Sequence, residues 1–226
     1  MVLPEYWLQR PKMEIDSETQ SNFDQLVARI KASGINTWIN YTFATPKWQF
    51  LCYLADQHGV VLHGTGEAHI QVFEPRPSND LNEFGAQTAV YAAGDGLWAL
   101  FFAILDRSHF PMATSNACIR LVDEAGQVSE PLYVFSISQT ALRQQPWRKG
   151  MIYLLPGDTF VNQPSLRFGP YEVRVPQLAS VVPVKPFAHL EVIPEDFPFL
   201  KDIRGLDDTR LQEYGQAMQT GTPWPE

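Results

Sequence analysis

The chain has 226 residues, of which 45% are hydrophobic, enough to bury a sizeable core in one large domain. Its formal net charge of −8 argues against a broad nucleic-acid surface, because such surfaces rest on Lys and Arg neutralising phosphates. The most apolar run, Leu97 to Leu105, is too short to cross a bilayer, and Met1-Val2-Leu3-Pro4-Glu5 lacks the basic flank and apolar stretch of an export signal.

In chain order, residues 17 to 33 carry Phe23, Leu26, Val27 and Ile30 at helical spacing before Gly34, which predicts an amphipathic helix. A second helix is expected from near Pro46 to Gly59, with Trp48, Leu51, Cys52 and Ala55 on one face. From Gly59 the pattern turns to short β-rich runs: VVLH, HIQVF, TAVYA, CIRLV, LYVFSI, MIYLL, YEVRV and HLEVI. Between them GDGLWALFFAILDRS reads as a helix whose first turn an Asp can cap, and LDDTRLQEYGQAMQ as a closing amphipathic helix. Residues 75 to 85, PRPSNDLNEFG, are the candidate functional loop. Neither repeats nor low-complexity tracts divide the chain, so residues 1–226 are expected to form a single α+β domain. Within it, residues 1–58 form a helical extension, 59–194 a mainly antiparallel core, and 195–226 a helix and tail.

Two cysteines, Cys52 and Cys118, lie in apolar runs where a packed, reduced thiol is expected, consistent with a cytoplasmic protein. No serine sits on a G-x-S-x-G elbow, which ranks acyl transfer low, and the glycines match neither the dinucleotide fingerprint nor the phosphate loop. His58, His63 and His69 have no companion ligands at metal-binding spacing, so no metal is expected. His63-Gly64-Thr65-Gly66 ends an apolar strand in a glycine-rich turn. That string suits either a ligand or a tight turn beside a satisfied histidine.

Read with FGAQTAVYAAGDGLWALFF downstream, the His63-Gly64-Thr65 string resembles the ADP-ribosyltransferase superfamily, in its poly(ADP-ribose) polymerase-like His-Tyr-Glu branch. Phe84-Gly85 and Ala89-Val90-Tyr91-Ala92 follow the histidine in the family's order, and Phe102 takes the place of a second aromatic. YEVRVPQLASVVPVKPFAHLEVIP matches the late glutamate strand, with Glu172 as the glutamate. The resemblance implies a split, mainly antiparallel ADP-ribosyltransferase-like sheet with NAD as substrate and no metal. It implies transfer of ADP-ribose, or hydrolysis, at the nicotinamide–ribose bond. The acceptor is unspecified among protein, small molecule and water, and a catalytically silent NAD-binding or interaction relative is the alternative.

By the same resemblance, Glu172 would hold a ribose hydroxyl and stabilise the developing oxocarbenium sugar, His63 would orient the adenine-side ribose, Gly64 would grip the carboxamide through its amide and carbonyl, and Thr65 would belong to the NAD site. Tyr91 and Phe102 would flank the nicotinamide cation, and Arg76 would meet the pyrophosphate. Ala99 stands where the family often has a serine, removing one hydrogen bond to the ligand. Each residue also has an ordinary reading: Phe102 as core, Glu172 and Arg76 as solvated surface.

Overall fold

The computed structural model describes residues 4–34, 36–78, 83–168 and 171–225. Three long helices follow the sequence pattern. Helix α1, Ser17–Ser33, is capped by the Asp16 side chain accepting from Thr19 N at 2.8 Å, buries Phe23, Leu26, Val27 and Ile30, and stops at Gly34 with φ 90°. Helix α2, Lys47–His58, starts after Pro46 and ends at Gly59, whose left-handed conformation turns its N–H back to the Leu54 carbonyl. Helix α3, Gly96–Ile104, is capped by Asp95, which accepts from Trp98 N at 2.9 Å. A short helix α4, Gln139–Leu142, and a closing helix α5, Leu211–Thr220, complete the helical part. None of these described helices is long and apolar enough to cross a membrane.

The strands form two sheets, so the fold is α+β and mostly antiparallel. In the first the order is β2 (Thr37–Trp38), β12 (Ala188–Val192), β7 (Gly150–Leu155), β3 (Val61–Thr65), β4 (Val90–Ala93), β11 (Gln177–Ser180) and β8 (Val161–Asn162). Only the β2–β12 pair in it is parallel. The second runs β1 (Leu8–Gln9), β6 (Leu132–Ser138), β5 (Thr114–Val122), β10 (Tyr171–Arg174) and β9 (Leu166–Phe168), with β13 (Arg204–Leu206) parallel on β6.

Two differences from the expected strands matter for the site. HIQVF is not a strand: His69 takes a positive φ of 68°, and of this run only Phe73 makes a bridge, to Val184. The expected strand YEVRV forms β10, and QLAS just after it, assigned to no strand of its own from the sequence, forms β11 in the other sheet. Pro176 stands at the crossing, where its carbonyl accepts from Gly94 N at 2.7 Å.

One hydrophobic core joins both sheets and three helices. Phe23 and Ile30 of α1, Leu51 and Leu54 of α2, and Leu97 to Ile104 of α3 pack with Leu62, Phe135, Ile152 and Leu190. The amino-terminal segment is tied in by polar contacts as well. Arg10 donates to Asp95 at 2.6 Å and to the Tyr133 hydroxyl at 3.0 Å, while the Tyr6 hydroxyl reaches the Ala217 carbonyl at 2.8 Å. Asn79 to Asn82 of the expected loop 75–85 lie outside the described residues.

Candidate functional site

A cleft of about 1810 Å³ is lined on one side by β3, β4 and α3 and on the other by β5, β9, β10 and part of α5. His63, Gly64, Thr65, Tyr91, Ala99 and Phe102 all line it, with Gly64 and Tyr91 on the α3 side of the sheet and His63 and Thr65, by strand alternation, on the other face, where His63 lies beside Phe73. They converge because β3 pairs with β7 along its whole length, whereas its register with β4 is the single pair Leu62↔Ala93. Beyond that pair lies the stretch holding His63 to Thr65.

His63 reaches across to the neighbouring strand, its Nδ1 lying 2.7 Å from the Tyr91 carbonyl. A carbonyl only accepts, so Nδ1 carries the proton. Burial pushes the imidazole below the ordinary histidine range; the Tyr91 bond opposes this and the Arg76 charge adds to it. The ring is therefore neutral at pH 7, with Nε2 a lone-pair acceptor. Its face packs on Phe73, with ring centroids 4.6 Å apart.

Gly64 has a packing reason to be glycine: a Cβ there would lie 1.8 Å from the Ala99 carbonyl oxygen of α3. Thr65 accepts at Oγ1 from Glu67 N at 3.2 Å. The Tyr91 hydroxyl is engaged rather than offered to the cleft. It donates to the Phe84 carbonyl at 2.9 Å and accepts from Gln87 N at 2.9 Å, latching segment 84–87. Its ring is left to line the cleft, as does the half-buried Phe102, which meets Phe101 edge-on with ring centroids 5.4 Å apart.

Two expected site residues are placed elsewhere. Glu172 lies on β10, where Tyr171 and Val173 on either side of it line the cleft. The two-residue alternation of a strand sends Glu172 to the opposite face. There it accepts from Ser165 at 2.9 Å and Arg174 at 3.1 Å, bonds that hold its carboxyl below the usual range, and its side chain is 41% exposed. It does not converge with His63. Arg76 is an exposed residue outside the cleft lining, its backbone bridged to Ala89 in both directions at 3.1 Å.

The residue beside the Tyr91 strand is Gln177. It pairs with Ala93 while Ala179 pairs with Tyr91, so Gln177, Ala93 and Tyr91 share one face, and Gln177 lines the cleft. Pro176 was the available sequence signal: a proline inside YEVRVPQLAS marks the end of one strand and the start of another. The lining is also basic in an acidic chain. Among the described residues, Arg107, Arg148 and Arg167 face one acid, Glu83. Within the same described set, no group of three or more His, Cys, Asp or Glu could hold a metal ion.

Set against protein-family models, curated proteins and solved structures, the chain matches none of them.

Proposed function

We propose that this protein binds NAD in the cleft on an ADP-ribosyltransferase-like scaffold and holds it without cleaving it. The observation that carries this reading is Gln177: the residue facing the cleft beside the Tyr91 strand is a neutral amide, while Glu172 faces the other way. Cleavage of the nicotinamide–ribose bond builds positive charge on the sugar, and a fixed carboxylate at that point is worth roughly 3 kcal/mol or more of transition-state stabilisation. An amide keeps the shape and hydrogen bonding of the site but lacks that charge.

The other contacts suit recognition. The lone pair at His63 Nε2 accepts a ribose hydroxyl, and Tyr91 and Phe102 offer faces to a flat cationic ring, an attraction on the order of 1 kcal/mol or more when desolvated. The arginines of the lining suit the phosphates.

Calorimetry with NAD, combined with chromatographic detection of nicotinamide after long incubation, tests this directly. Saturable binding with no nicotinamide release is the expected result. Release at a rate that follows enzyme concentration makes the protein a transferase or glycohydrolase, and absence of binding at millimolar NAD removes the reading altogether.

A further inference from the structure

Arg148 precedes β7 and sends its side chain across the glycine-rich turn that follows β3. Its guanidinium lies so close over Gly66 that a Cβ added there would meet Cζ at 1.6 Å and Nη2 at 1.7 Å. The side chain lines the cleft and is 25% exposed. One end is held: Nη1 donates to Ser108 Oγ at 3.3 Å and lies 3.9 Å from Asp106 Oδ1. That carboxylate also accepts from the Ser108 hydroxyl at 2.7 Å and His109 N at 3.2 Å and has the His109 ring at 2.9 Å, so it is engaged more closely by these groups than by the guanidinium. The Nε of Arg148 is buried and, among the described residues, has no hydrogen-bond partner. A buried donor left unpaired is costly, and a charged one more so. A planar fork fixed at one end, with a spare donor on the other, is the geometry that accepts two oxygens of one phosphoryl group.

We propose that Arg148 is the seat of a phosphoryl group in the cleft, with Gly66 kept free of a side chain so that the guanidinium can lie flat over the turn. As a seat for the diphosphate of NAD, the assignment rests on the binding reading above. Phosphoryl recognition at Arg148 itself does not depend on which molecule carries the group. Of the two arginines discussed for this role, Arg148 lines the cleft and Arg76 does not.

The experiment is calorimetric titration of the full chain, as wild type, Arg148→Gln, Arg148→Lys and Gly66→Ala, with NAD, with nicotinamide riboside and with inorganic pyrophosphate. Thermal unfolding of each variant checks that it is folded. Arg148→Gln is expected to weaken NAD binding about tenfold or more and to leave nicotinamide riboside, which has no phosphate, within twofold. Arg148→Lys should recover only part of the loss, because an ammonium is a point charge and not a fork. Gly66→Ala keeps the arginine but displaces it, and is expected to weaken NAD in the same direction.

If wild type binds NAD and Arg148→Gln and Gly66→Ala bind it equally well, the seat is wrong and the cleft reading survives. If wild type binds pyrophosphate through Arg148 but not NAD, the seat stands and the cleft reading falls. If wild type binds neither, both fall.

Discussion

Gln177 and Glu172 are five residues apart in sequence and lie in different sheets, and the two make opposite predictions. Gln177→Glu places a carboxylate on the face shared with Tyr91, where it can stabilise an oxocarbenium sugar. Nicotinamide release is expected to rise about tenfold or more above the spontaneous breakdown of NAD, the level expected with wild type, which corresponds to about 1.4 kcal/mol of barrier, as measured by chromatography under saturating NAD. A Gln177→Glu protein that binds NAD but releases nothing would remove Gln177 from the chemistry. Glu172→Gln, by contrast, changes an exposed side chain held by Ser165 and Arg174, and NAD affinity by calorimetry should stay within about twofold of wild type.

At the scale of elements, helix α3 is the pivot. It packs directly on β3 through Gly64, and its first turn rests on Asp95, which caps Trp98 N and accepts from Arg10 and Tyr133. The Asp95 and Arg10 side chains are 2% and 4% exposed. Asp95→Ala removes the cap and leaves Arg10 with one fewer carboxylate, Asp56 remaining beside it. A loss of about 3 kcal/mol is expected in urea unfolding, from a cap worth about 1 kcal/mol and a broken buried pair. Gly64→Ala drives a methyl into the α3 backbone and should both destabilise the fold and deform the cleft. The helices were legible because each has local punctuation: Gly34 after α1, Pro46 and Gly59 around α2, and Asp95 before α3. The HIQVF run misled because β-rich composition does not show that His69 turns left-handed and ends the extension.

At the scale of the whole molecule, burial pushes both His63 and His189 below the ordinary histidine range. The unfolded chain therefore takes up these protons first, from about pH 6.5 downward, while the folded chain resists them. Stability is at its full value above that pH and declines as pH falls through it. Urea midpoints at pH 8, 6.5 and 5 should show a decline confined to the lower interval, and His63→Gln should make it shallower. NAD affinity should hold from pH 8 to 7, since burial holds His63 below the ordinary histidine range and leaves its acceptor neutral there. The sequence alone determined the helices and the mainly antiparallel α+β character, because amphipathic spacing, caps and turn residues are local signals, while His63, Gly64, Thr65, Tyr91 and Phe102 were singled out by a family resemblance and lie along one cleft. Only the tertiary structure decided which way Glu172 faces, that Gln177 stands beside the Tyr91 strand, and that Arg148 lies over Gly66. Those depend on strand register, on which sheet each strand joins on either side of Pro176 and on contacts between residues far apart in the chain; the proline marks the break but not the partners.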